Sequence, residues 1–306
     1  MIQELMSIQL PLMEVFQHMG SSFLDVIGTA VTLFGEPYIA IPILIYLYWC
    51  IDKKKGAILA TVVLTANYAM NVAKLLVRAP RPFQFAPEKI ANKRASTATG
   101  FAFPSGHTTS ASSLFGTLSR FVGKTWGKVL LLLIPVLVGL SRLYLGAHWP
   151  LDVIVGLALG LFFAFYGYDW FSKLYDNEEK FYSFMKKASC ILGVTSLFSI
   201  VLLQFFHASE FIWKDFMEGS AMALGVTLSF PLERKHVHFT APKTLKDKLL
   251  VFLVGTVIGI GLWFVLRSIP VLPYLFKFLG YFFLIIFVGY LYPLIGVKMG
   301  FFGQED

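Results

Sequence analysis

Charge is scarce in this chain. Only 14% of its 306 residues are Asp, Glu, Lys or Arg, whereas 57% are hydrophobic and 31 are Phe. A soluble domain of this length cannot bury so much apolar side chain, so an ordinary globular domain is excluded and an integral membrane protein is expected. Cysteine is scarcer still. Cys50 and Cys190 stand near the ends of apolar segments and suggest neither a disulfide framework nor a zinc site. The N-terminal stretch MIQELMSIQLPLMEVFQHMG lacks the basic start, apolar run and small-residue cleavage site of a signal peptide, and it reads as a short interfacial helix. No Asn-x-Ser/Thr sequon occurs, which favours a bacterial source.

Crossing about 30 Å of hydrocarbon at about 1.5 Å per residue takes close to 20 apolar residues. Such stretches lie near 23–50, 57–77, 104–122, 127–145, 151–170, 188–206, 216–232, 249–266 and 278–297. They predict an all-α, polytopic transmembrane helical bundle of about nine spans. The net charge of +8 does not point to nucleic acid, because the Lys and Arg residues sit mainly in the short linkers. Lys53–Lys55, Arg120, Lys124, Lys128, Lys173, Lys180, Lys186, Lys187, the group from Arg234 to Lys248, and Lys298 all fall on one side if the N-terminus is outside. That bias predicts N-terminus out and C-terminus in. Three parts are expected: residues 1–172 as a catalytic transmembrane core, 173–187 as a charged cytoplasmic linker and 188–306 as additional transmembrane helices.

Polar groups that look chemical collect at the outer ends of spans. Lys74 to Pro82 closes the second span, Pro104-Ser105-Gly106-His107-Thr108 opens the third, and Ser141 to Asp152 forms the turn between the fourth and fifth. Phosphoryl transfer needs positive groups around the phosphorus, a nucleophile and an acid for the leaving oxygen. Lys74, Arg81 and Arg142 supply the positive charge, and arginine forks can hold two phosphate oxygens at once. Pro104 at the first turn of a helix would leave the Ser105 and Gly106 N–H groups pointing at an anion. Asp152, four residues after His148, would meet it on one helical face or across the helix start, fixing the imidazole tautomer. His148 is then the best nucleophile, and His107 is left as the acid.

Taken together, Lys-x6-Arg-Pro, Pro-Ser-Gly-His and Ser-Arg-x5-His-x3-Asp resemble the three signatures of the type 2 phosphatidic acid phosphatase (PAP2) superfamily at full spacing. By that resemblance Lys74, Arg81, Ser105, Gly106, His107 and Arg142 would hold the phosphate. His107 would also act as acid, His148 would form a phosphohistidine and Asp152 would support it. The resemblance implies no metal and no cofactor, and the sequence offers no competing cluster of acidic metal ligands near these residues. The expected activity is hydrolysis of a lipid phosphate or polyprenyl diphosphate at the outer membrane face. Nine spans with an outside N-terminus also resemble a glucose-6-phosphatase arrangement, so a soluble sugar phosphate is the alternative substrate, and phosphate or lipid-phosphate binding or transport is the alternative function. The expected partners are membrane lipids and a phosphorylated amphipath, not nucleic acid, with homo-oligomerisation left open. The expected location is a bacterial inner membrane with the site facing the periplasm or exterior.

The remaining polar residues read more plainly. Arg78, Lys89, Lys93 and Arg94 are expected to be solvated loop charges, and Phe83, Phe85, Tyr144 and Trp149 an interfacial belt. His18, His207, His236 and His238 have no nearby partners of ligand type. Gly219-x5-Gly225 and Gly255-x3-Gly259 suggest close helix packing.

Overall fold

A computed structural model describes residues 2–94 and 98–305. The linker 78–103, with Pro80, Pro82, Pro87 and the small polar run Ala95–Gly100, reads from sequence as a loop that can frame a site entrance, and its residues 95–97 lie outside the described ones. The chain folds as two units, one of residues 1–40 and 65–168, the other of residues 41–64 and 169–306.

The first unit begins with α1 (Ile2–His18) and α2 (Ser22–Thr32), which ends in a tight turn, Leu33–Gly35, before α3 (Pro37–Tyr46) starts. It continues through the second half of α4 (Lys53–Val77), the one-turn α5 (Pro82–Phe85), α6 (Gly106–Ser119), α7 (Thr125–Tyr144) and α8 (Pro150–Phe162). At its centre lies α6, built largely from Ser, Thr, Gly and Ala. Thr109, Ser112 and Thr117 return their hydroxyls to the carbonyls four residues back, so buried polar groups are satisfied within the helix. Small residues let α8 come close. A Cβ on Gly160 would lie 2.4 Å from Ser112 Cβ, and one on Gly156 would lie 2.9 Å from the Ser105 carbonyl oxygen.

In the second unit the aromatic residues of 41–64 are covered by the chain's last third. Trp49 Nε1 donates to the Val288 carbonyl at 2.9 Å, Tyr48 Oη donates to Gly289 at 3.0 Å, and the Trp49 and Tyr292 rings lie 4.6 Å apart. This unit also holds α9 (Tyr168–Asp176) from Asp169 on, α10 (Glu178–Phe205), α11 (Glu210–His236), α12 (Leu245–Arg267), α13 (Pro273–Ile286) and α14 (Tyr292–Lys298). Gly225 and Gly255 sit where a Cβ would press within 2.7 Å of Ile285 and Trp49, which is the close packing expected at those glycines. Residues 41–64 group with 169–306 in this unit. The segment 173–187 is helical, and Asn177 Oδ1 caps α10 by accepting from the Lys180 amide at 3.0 Å.

Six helices among the described residues are long and apolar enough to cross a bilayer, and the broken pair Ser22–Gly35 and Pro37–Ile51 makes a seventh if it counts as one span. Of the nine stretches read as spans, 104–122 and 216–232 do not meet that test of length and composition. The stretch 104–122 is α6, whose 14 residues extend only about 21 Å. The stretch 216–232 lies inside α11, a 27-residue helix that includes Lys214, Asp215, Glu218 and Glu233.

Candidate active site

All eight residues singled out from the sequence lie in the first unit, and all but Gly106 and His107, which are partly exposed, are buried. Ser105 and Arg142 are 0% exposed, Arg81 and His148 1%, Asp152 2% and Lys74 9%; the His107 side chain keeps 15%. Three buried cations are normally intolerable without compensation. Here Lys74, Arg81 and Arg142 surround one small region and outnumber its carboxylates, which is the charge balance an anion would complete.

The turn from Gly146 to Pro150 sets the geometry of His148. Pro150 starts α8, and Asp152 in its first turn accepts the Trp149 amide on Oδ2 at 2.7 Å. That same Oδ2 faces His148 Nδ1 at 3.4 Å, so the two meet across the helix start rather than along one helical face. On the other side of the ring, Arg81 Nη1 lies 3.3 Å from His148 Nε2. A guanidinium can only donate, so Nε2 accepts and the ring proton sits on Nδ1, toward Asp152. Burial, with Arg81, Arg142 and Lys74 close by, holds the imidazole well below its ordinary value of 6.5 and therefore neutral.

Arg81 does more than the sequence suggests. Its Nε donates to Gly100 and its Nη1 to Ala147, both at 2.9 Å, and Nη2 reaches the Thr99 carbonyl. It thus ties residues 99 and 100 to the histidine turn. Trp149, expected in an interfacial belt, is buried instead. Its Nε1 donates to Pro80 at 2.9 Å and its ring meets Phe85 edge-on.

Ser105 and Gly106 also differ in detail from expectation. Ser105 is the N-cap of α6; its amide donates to the Asp152 carbonyl at 3.0 Å and its Oγ pairs with Thr108 Oγ1 at 2.8 Å. The Ser105 N–H is therefore not available to an anion, and its role is to lock the α6 start to the α8 start. Gly106 and His107 hold the first two helical positions, whose N–H groups have no intrahelical acceptor. A Cβ on Gly106 would come within 3.9 Å of Lys74 Nζ, which places the ammonium beside that helix end.

Three of the four loop charges read as solvated, Lys89, Lys93 and Arg94, are paired with carboxylates. Lys89 meets Glu14 at 2.8 Å, Lys93 meets Asp25 at 2.7 Å and donates to Tyr144 Oη at 3.0 Å, and Arg94 Nη2 lies 2.7 Å from Glu36 Oε1. Glu36 is the residue the sequence reading missed. It is 4% exposed, and its Oε1 also lies 3.5 Å from His107 Nε2. The signal was a carboxylate inside an apolar segment, expensive enough to imply a partner. Among the described residues no three His, Cys, Asp or Glu side chains gather so as to hold a metal ion.

Residues 55–176 match the model of the PAP2 superfamily, and residues 217–304 match that of the PAP2 superfamily phosphatase transmembrane extension. The chain belongs to the PAP2 superfamily. Within it, the chain is 33% identical over 134 residues to an undecaprenyl-diphosphatase of Sulfolobus acidocaldarius, covering 43% of this chain and 63% of that one. It is 37% identical over 82 residues to phosphatidylglycerophosphatase B of Bacillus subtilis, covering 23% and 40%. A lipid A 1-phosphatase of Rhizobium etli is 30% identical over 117 residues, covering 36% and 47%. This PAP2 chain thus matches less than two thirds of each relative's length.

Proposed function

We propose that this PAP2 protein hydrolyses a lipid phosphate monoester or a polyprenyl diphosphate at the outer membrane face, without a metal, through a phosphohistidine on His148. The observation that carries the reading is the bracketing of His148 by Asp152 on Nδ1 and Arg81 on Nε2. With the ring proton on Nδ1, Nε2 carries the ring's lone pair, which becomes the nucleophile when the phosphorus takes the place of the Arg81 N–H.

In the first step Nε2 attacks phosphorus as the bond from phosphorus to the leaving oxygen breaks, and His107, whose imidazole burial and Arg142 hold down at about 4 and which the bound phosphate anion helps to charge, gives its proton to that oxygen. The new N–P bond leaves His148 positively charged, which Asp152 stabilises through Nδ1–H. Water then attacks the phosphohistidine, neutral His107 takes a proton from it, the N–P bond breaks, and phosphate leaves with both histidines restored. Lys74, Arg142 and the α6 N-terminus stabilise the charge on the equatorial oxygens. A site at head-group depth suits an amphipath whose tail stays in lipid. The three relatives' names each describe a phosphatase of an amphipathic phosphate or diphosphate. The excess of basic residues in the linkers assigned to the inside supports an outside N-terminus in a bacterial inner membrane, with this site toward the periplasm or exterior.

The test is phosphate release by the purified protein in detergent with chelator. The substrates are phosphatidic acid, phosphatidylglycerol phosphate, undecaprenyl diphosphate, sphingosine phosphate and glucose 6-phosphate, with His148→Ala as control. Chelator-resistant release that disappears in His148→Ala is expected, fastest on an amphipath. A folded protein that binds phosphate but releases none from any substrate would overturn the reading in favour of binding or transport.

A further inference from the structure

His148 has a carboxylate behind it, and the geometry gives His107 one as well. The sequence Gly35-Glu36-Pro37 explains how. Pro37 disfavours helical backbone at the residue before it, and Glu36 is extended at φ −99°, ψ 156°, ending the turn that α2 runs into. The break turns the Glu36 carboxylate inward instead of along a helix face. Gly35 fixes the approach: a Cβ there would lie 2.7 Å from the His107 carbonyl oxygen and 2.8 Å from His107 Cβ, so only glycine lets this turn touch the start of α6. Glu36 Oε1 then stands 3.5 Å from His107 Nε2, with Arg94 Nη2 2.7 Å away on the same oxygen. Oε1 and Nε2 are both shut off from solvent, and neither makes a well-formed hydrogen bond among the described residues. Hydrogen bonds of this length at catalytic groups commonly tighten when substrate is in place.

We propose that Glu36 is a positioning residue for His107, holding its ring and favouring its protonated form so that it can deliver a proton to the leaving oxygen. This rests on the reading of His107 as the acid. The groups facing His107 are Glu36 from the helix break, Lys74 from α4, Arg142 from α7 and His148 from the turn before α8; Arg94 reaches it through Glu36. Burial and the cations hold the His107 imidazole down at about 4, and among those groups Glu36 is the carboxylate that opposes them. Without Glu36, His107 would be surrounded by positive charge and would lose its proton at lower pH.

The experiment compares kcat for an alkyl substrate, phosphatidic acid, with kcat for p-nitrophenyl phosphate, whose leaving group needs little protonation. The proteins are wild type, Glu36→Gln, Glu36→Asp, Arg94→Gln and His107→Ala, each checked for a monodisperse folded state. Glu36→Gln is expected to lose on the order of 10- to 100-fold on phosphatidic acid but less than about threefold on the aryl ester, following His107→Ala in kind. Its basic limb of kcat/KM should move to lower pH, Glu36→Asp should recover part of the loss, and Arg94→Gln should keep the wild-type ratio between the two substrates. Equal losses on both substrates, a wild-type Glu36→Gln, or an Arg94→Gln that reproduces its selectivity would each overturn the proposal while leaving phosphatase activity intact. Wild-type protein inactive on every substrate would instead remove the proposed function itself.

Discussion

Asp152 Oδ2 accepts the Trp149 amide at 2.7 Å while facing His148 Nδ1 at 3.4 Å, so one carboxylate oxygen caps a helix and orients an imidazole. Replacement by asparagine separates the two jobs. The side-chain amide oxygen introduced by Asp152→Asn can still cap α8, but it carries no charge to stabilise an imidazolium. Asp152→Asn should keep the wild-type melting temperature within a few degrees and lose kcat by about 10- to 100-fold or more. A parallel collapse of melting temperature would show that the cap, not the charge, dominates.

The neutral, buried state of His148 predicts a pH dependence of stability. Its folded pKa lies below the unfolded value near 6.5, so the unfolded chain binds the proton more readily. The contribution is fully present above that value and declines as pH falls below it. Between pH 7 and pH 5 the wild type should therefore lose more melting temperature than His148→Gln. Equal slopes for the two would argue against a neutral His148.

Packing between α6 and α8 should be intolerant where the glycines touch. Gly160→Val places new atoms against Ser112 and the Thr109 carbonyl, and a destabilisation of about 1–3 kcal/mol is expected from overpacking. Gly193→Ala in α10 meets nothing within 4 Å and should be stabilising by up to about 1 kcal/mol through helix propensity. Thermal melts in one detergent compare them directly.

The ion pairs of the 86–94 segment are unequal. Lys89 and Glu14 form an exposed pair, worth little. Lys93 joins Asp25 and Tyr144 and lies over the Tyr144 ring at 4.2 Å. Lys93→Ala should raise hydrogen exchange across residues 86–94 severalfold, whereas Lys89→Ala should leave it near wild type.

Orientation is checked by placing cysteine at the exposed Glu88 in a Cys190→Ser background, since Cys50 is buried. An impermeant thiol reagent added to intact cells should label Glu88→Cys. Labelling only after permeabilisation would invert the assignment.

The legible part of this site is the part written in short stretches. His148 and Asp152 are four residues apart and flank a proline, so their meeting at a helix start could be read directly. Glu36 and His107 lie 71 positions apart, and no local spacing joins them. What brings them together is a glycine with no room for a Cβ and a proline that breaks a helix, features that are common in membrane spans and carry no address. The same limit applies to α6. The stretch 104–122 reads as a span, but α6 has only 14 residues, mostly Ser, Thr, Gly and Ala, and it is the neighbouring helices that bury them. Arg81 likewise looks like a phosphate fork from its type, while its carbonyl contacts depend on where residues 99, 100 and 147 run.

The partners of Trp49 have a consequence for how the protein is made. Its indole proton waits for the Val288 carbonyl, 239 residues later in the chain. Ribosomes release the chain from the N-terminus, so Tyr48 and Trp49 enter the bilayer long before anything that covers them exists. A nascent chain ending at residue 168 would hold every residue of the His148 site and still carry an unfinished aromatic surface. The C-terminal spans thus complete a segment inserted near the beginning of synthesis.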